Sequence, residues 1–359
     1  MTEFQLNQLP PLVNFETIKI LKALSGAHRY LAELKGYAET LPNQNILINT
    51  LSLQEAKDSS AIENIITTHD ELYKQTISQS NKSSAAKEVE HYSKALKSGF
   101  DRVIEDKLLT NRHIIAIQSI LEGNTAGFRK LPGTKLINDQ TGATIYTPPQ
   151  DAKIVAQYMT NLERYINAEE DSVDPLIKMA VIHFQFESVH PFYDGNGRTG
   201  RIINMLYLVQ KGLLNIPILY MSRYIIQTKD QYYKNLQNVR EHNDWETWIA
   251  YMLNGIEQTA IETIQTIQKI KKLFNKTKHH IRKSHKFYSQ DLINNLLSHP
   301  YTKIEFLVEE LNITRITATK YLETLVQDGI LKKEKVGRSN FYINTELFEI
   351  LKGVESLSS

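Results

Sequence analysis

Residues 190–201, HPFYDGNGRTGR, place one His, one Asp, one Asn, three Gly and two Arg in a single short stretch. Gly195 and Gly197 permit backbone conformations in which successive N–H groups converge on an anion. A helix starting near Arg198 would add its unpaired N-terminal amides to the same cluster. Arg198 and Arg201 stand three apart, so on a helix they share a face and can offer two planar, multi-donor heads to one polyphosphate. Asp194 fits an anion pocket only if a cation accompanies the anion. Mg2+ is the natural choice, because it is held by one or two carboxylates together with substrate phosphates. His190 is the group in this stretch able to accept a proton near neutral pH. Each residue alone could be a turn glycine, a core histidine or a surface arginine. Together they describe a Mg-nucleotide site with a general base.

Gly195 to Gly200 also fit G-x-G-x-x-G, which raises a dinucleotide-binding fold. That fold needs an apolar strand leading into the first glycine and an acid about 20 residues beyond. The lead-in here is His-Pro-Phe-Tyr-Asp, and no Asp or Glu occurs from 202 to 229. No G-x-x-x-x-G-K-[ST] loop is present either.

The surrounding elements read as mainly α. Apolar residues recur three and four apart from about 16 to 122, as in Phe15, Ile18, Ile20, Leu21 and Leu24, with breaks near Pro42 and around 78–84. Helical spacing returns at 151–167 and from Pro175 toward Ser188, and continues after the motif, which therefore sits between two helices. GTKLINDQTGATIYTPPQ at 133–150 predicts a hairpin of strands TKLIN and ATIYT. A long amphipathic helix is expected from Trp245 to about Phe274. Residues 269–286 then hold eight Lys or Arg, three His and no acid, a composition suited to a solvated linker or a nucleic-acid contact. Helices near 289–298, 303–311 and 315–328, followed by strands ILKKEKV and SNFYIN with Gly337-Arg338 at the turn, resemble a winged helix-turn-helix.

HPFYDGNGRTGR matches the Fic signature H-x-F-x-[DE]-G-N-G-R-x-x-R at every specified position, and the chain resembles Fic (Fido) domain protein adenylyltransferases over roughly residues 10–260. The resemblance implies a helical Fic core that moves AMP from ATP onto a Tyr, Ser or Thr hydroxyl of a protein. His190 would take the target proton and Asp194 would hold Mg2+. Gly195, Asn196 and Gly197 would cradle the inner phosphates, Arg198 and Arg201 would orient the outer ones, and Thr199 and Gly200 lie in the same nucleotide-binding stretch. Phe192 would anchor the loop. Tyr232 matches a position that contacts the nucleotide in some relatives, although a packing role suits it equally. The 134–147 hairpin stands where the family's flap docks an extended target segment, which could belong to another copy of the chain.

Upstream, Ser59-Ser-Ala-Ile-Glu63-Asn64 fits the family's inhibitory pattern [ST]-x-x-x-E-[GN]. Ser59 and Glu63 share a helix face, and Glu63 is expected to pair with Arg201 and keep it from the γ-phosphate. In some relatives this Glu instead helps remove AMP, and others transfer phosphate or phosphocholine. The expected organisation is an N-terminal helical region at 1–111, a Fic core at 112–272, a basic linker at 273–286 and the winged module at 287–352. That module could bind DNA through residues 287–343, with Arg315, Lys320, Lys333, Lys335 and Arg338 as contacts.

Composition adds bounds. Forty-two Lys and Arg against forty Asp and Glu leave no global charge to draw the chain to nucleic acid or membrane. No segment approaches the roughly 20 apolar residues a span needs. Zero cysteines exclude disulfides and thiolate chemistry. A cytoplasmic protein is expected, with helical N-terminal surfaces that could support a homodimer.

Overall fold

A computed structural model of the chain describes residues 5–72, 83–137, 141–169, 172–336 and 339–352. Helix α1 (Ile18–Glu39), capped by the Thr17 hydroxyl, runs along the long helix α10 (Trp245–Ser284), capped by Asp244. Helices α2 (Asn45–Ile62), α3 (Ser84–Asp106) and α4 (Asn111–Glu122) pack in succession, with Ser83 and Thr110 accepting from the first-turn amides of the latter two. The expected break at 78–84 falls largely outside the described residues.

The centre is α6 (Pro175–Val189). Fourteen of its fifteen residues are buried, so it presents no amphipathic stripe and must be surrounded on all sides. Helices α5 (Ala152–Asn167), α7 (Asn196–Gln210) and α10 pack against it, while α8 (Ser222–Gln227) and α9 (Lys229–His242) close the side toward α2 and α10. The hairpin forms, but it is shorter than its sequence suggests. Strands β1 (Leu136–Ile137) and β2 (Thr144–Tyr146) pair antiparallel with an irregular register, Leu136 opposite Tyr146 and Ile137 opposite Thr144.

The expected linker at 273–286 is a correction. Helix α10 continues through it to Ser284 because Leu273, Phe274, Thr277 and Ile281 keep helical spacing and are buried, leaving the basic side chains to the outer face. Beyond it, α11 (Gln290–Ser298), α12 (Ile304–Leu311) and α13 (Arg315–Gln327) precede strands β4 (Lys332–Val336) and β5 (Ser339–Ile343). Strand β3 (Tyr301–Thr302) completes an antiparallel sheet of order β3-β5-β4, and helix α14 (Thr345–Lys352) follows. Neither was anticipated, since β3 is only two residues long. The Gln54 amide donates to the Leu351 carbonyl and the Tyr301 hydroxyl to Asp70, tying this module to the α2 region. No helix among the described residues is long and apolar enough to cross a membrane.

Candidate active site

The 190–195 loop joins α6 to α7. His190 caps α6 in the left-handed region, φ 48°, which few non-glycine residues adopt without support. Arg129 supplies the support. Its Nε donates to the His190 carbonyl at 2.8 Å, and its Nη2 donates to Val189 O at 3.3 Å and to the Pro149 carbonyl. Its own N–H donates to Pro191 O at 2.8 Å. One buried guanidinium thus answers carbonyls that the end of a helix leaves unpaired. Asn196 closes the loop from the other side. Its Oδ1 accepts from the Phe192 N–H at 2.9 Å and its Nδ2 donates to the Phe192 carbonyl at 3.0 Å, so both ends of the amide are engaged in the loop itself. Phe192 is fully buried between Phe128 and Phe186, the anchor expected of it.

His190 is pushed down to about 4 by burial and the nearby Arg129 charge, against smaller opposing effects from Glu63 and the Glu187 backbone. It is therefore neutral at pH 7. The hairpin is pinned beside it: the Tyr146 hydroxyl donates to Ser188 O at 2.9 Å, and the Arg240 guanidinium lies 4.1 Å from the Tyr146 ring centre.

The two motif arginines are both buried and both paired. Arg201 donates from Nε to Ser59 Oγ at 2.8 Å, and from Nη2 to the Ser59 carbonyl and to Glu63 Oε1, each at 2.9 Å. Burial disfavours its charge, but Glu63, Tyr232, Tyr92 and Glu187 outweigh that and raise its pKa. Arg198 donates to Glu88 Oε2 at 2.7 Å and also meets Glu122 at 2.9 Å and Asp194 at 3.7 Å. Neither Glu88, Glu122 nor Arg129 belongs to a local pattern, so sequence reading passed over all three.

Glu63 caps α2 one residue past its end, and Asn64 follows at φ 63°. The Lys229 ammonium donates to Ile62 O at 2.6 Å and Asn64 Oδ1 at 3.3 Å, fixing that corner. A Cβ on Gly197 would lie 2.3 Å from Glu63 Oε1, and one on Gly200 would lie 2.8 Å from Glu187 Oε1. The absence of a Cβ at both positions lets these carboxylates approach the helix backbone closely.

Asp194 is 77% exposed at the side chain, with Oδ1 accepting from the Gly195 N–H at 2.7 Å. An accessible hard oxygen donor beside the α7 N-terminus suits Mg2+ with water and phosphate completing its shell. Thr199 is buried inside α7. Tyr232 is 2% exposed, and its hydroxyl meets His183 Nε2 at 2.8 Å. The ring packs among His183, Trp248 and Tyr251. Asn204 Nδ2 lies 3.0 Å from His183 Nδ1, and burial together with the Arg201 charge lowers His183 to about 3.

In the C-terminal module Arg315 pairs with Glu305 and Lys333 with Glu323, which spends two of the five expected DNA contacts inside the module. Lys320 and Lys335 lie on α13 and β4, and Arg338 is outside the described residues.

Three family profiles match successive segments: "Fic/DOC family N-terminal" at 21–101, "Fic/DOC family" at 108–208 and "Protein adenylyltransferase SoFic-like, C-terminal domain" at 273–347. A probable protein adenylyltransferase of Aquifex aeolicus is 28% identical over 183 residues, covering 50% of this chain and 54% of that protein. Protein adenylyltransferase fic-1 of Caenorhabditis elegans is 28% identical over 110 residues, 30% of this chain and 20% of that protein. The chain thus spans about half, or less, of these relatives' length. Among solved structures, a Fic family protein from Desulfovibrio desulfuricans superposes with TM-score 0.58 at 18% identity over 94% of this chain and 98% of that one. C. elegans Fic-1 superposes at 0.54 with 20% identity over 69% and 73%. At these identities the structural likeness is one of fold.

Proposed function

We propose that this chain, which belongs to the Fic/DOC family, transfers AMP from Mg-ATP to a hydroxyl of a protein and is held inactive by Glu63. The carrying observation is the 2.9 Å contact between Glu63 Oε1 and Arg201 Nη2 beside a preformed motif loop.

In the transfer, the target hydroxyl oxygen bonds to the α-phosphorus, the bond to the bridging oxygen breaks, and pyrophosphate leaves. The hydroxyl proton passes to His190, which is neutral and fixed through Arg129. A base pushed to about 4 is weak in the resting site. The negative charge of a bound triphosphate would raise it toward working pH. Loop amides at the α7 N-terminus stabilise the charge that develops on the phosphates. Asp194 would hold Mg2+, whose chemistry is to neutralise phosphate charge. The hairpin, pinned by Tyr146, offers the strand edge that would align a target segment.

Arg201 is needed for the outermost phosphate. While Glu63 and Ser59 occupy its donors, the triphosphate loses that anchor and its α-phosphorus is misplaced. Incubation of Glu63→Gly protein with ATP labelled at the α or the γ phosphate tests the transfer. Label retained on protein from the α position alone supports AMP transfer; retention from the γ position makes the chain a kinase.

A further inference from the structure

We propose that the junction between α10 and the C-terminal module is a binding site for a transition-metal dication of the Zn2+ class, built from His280, His285 and Asp328. It does not depend on the nucleotide chemistry.

The three donor atoms lie within 4.8 Å of one another. His280 Nε2 is 3.8 Å from Asp328 Oδ2, and His285 Nε2 is in contact with the same oxygen. Around a tetrahedral Zn2+, with ligand bonds of about 2.0–2.2 Å, neighbouring donors stand roughly 3.4 Å apart. The cluster is therefore close to coordinating spacing, and a small withdrawal of His285 from Asp328 would seat the ion. The donors come from two elements: His280 from just before the last turn of α10 and His285 from its C-cap, Asp328 from the C-cap of α13.

His285 is held in place. Its ring stacks on Phe287 at 4.7 Å, and Phe287 stacks on Tyr321 of α13 at 4.3 Å. His280 is half exposed, so the site opens to solvent and leaves a position for water. Two imidazoles and one carboxylate favour Zn2+, Co2+ or Ni2+ over Mg2+ or Ca2+, which take oxygen donors. The surrounding sequence sharpens that preference. Lys278, Arg282, Lys283 and Lys286 give the segment a positive charge that repels a cation held by electrostatics alone. A bound ion would clasp α13 to the end of α10 and fix the orientation of the module.

Equilibrium dialysis of the untagged full chain against Zn2+ at pH 7.5, with Mg2+ present in millimolar excess, tests the assignment. One site per chain is expected that is weakened about tenfold or more by Asp328→Asn and by the His280→Ala/His285→Ala pair. His190→Ala should leave it intact. His280→Ala alone, on a half-exposed side chain, covers the case in which the double variant fails to fold. Co2+ loading should add a visible d–d band that the same variants lose. Zn2+ binding unchanged in His280→Ala and Asp328→Asn, or no binding tighter than about 100 µM in the parent, would overturn the proposal.

Discussion

Arg201 Nη2 lies 2.9 Å from Glu63 Oε1 across 138 residues of sequence, and the same nitrogen donates to the Ser59 carbonyl. The guanidinium is almost fully buried, whereas the Glu63 side chain is 35% exposed. An arginine held this way has its Nε and Nη2 hydrogens committed to α2 and not to a phosphate. The carboxylate, being at the rim, can leave without unfolding α2.

The aim of Glu63 depends on the corner that follows it. Asn64 sits at φ 63°, a region that costs a residue with Cβ about 1–2 kcal/mol and is worst for β-branched side chains. This accounts for Asn or Gly in the pattern. Asn64→Val should lower stability by about that amount and raise basal AMP transfer several-fold, whereas Asn64→Gly should leave both close to the parent. Denaturant unfolding and labelled-ATP incorporation read the two effects.

Arg129 places His190 without touching the reacting atoms. In a Glu63→Gly background, Arg129→Lys keeps the charge but cannot reach three carbonyls at once. The rate constant for transfer should fall about tenfold, with KM for ATP changed less than about threefold. Equal losses in kcat and ATP affinity would mean that the loop itself has collapsed.

On the buried face of α2, burial raises Glu55 to about 7, against opposing hydrogen bonds from Ser222 and Tyr92 and the charge of Arg201. A carboxyl raised in the folded state binds more protons there than when unfolded between about pH 4.5 and 7. Its ionisation therefore costs stability as pH rises through that window, and the cost is complete above pH 7. Glu55→Gln removes the titration, so its stability relative to the parent should improve by about 3 kcal/mol between pH 4.5 and 8. A difference that stays constant with pH in denaturant titrations would exclude this role for Glu55.

The sequence made the loop legible because its parts are contiguous: His190, Asp194, the glycines and both arginines occupy twelve positions. Glu63 was legible through its short pattern. Arg129, Glu88, Glu122 and Lys229 were not, because each acts through tertiary placement with no local spacing to mark it. Tyr232, singled out through a family position, has its hydroxyl against His183 in the core, a packing partner that no local pattern marks. The basic segment at 273–286 was misread because charge masked Leu273, Phe274 and Ile281, three apolar residues at helical spacing with Thr277 between them. Asn196 opens α7 at the end of the loop, and its amide is spent on Phe192, which stiffens the loop.

Glu63 as an inhibitor of AMP transfer is tested most directly by incorporation of α-labelled ATP into protein for parent, Glu63→Gly and Glu63→Gly/His190→Ala, at saturating Mg-ATP. The expected outcome is low incorporation by the parent, at least a tenfold rise on removing Glu63, and its loss when His190 is also removed. Equal incorporation by parent and Glu63→Gly would contradict inhibition through Arg201, and a rise that survives His190→Ala would contradict the assigned base.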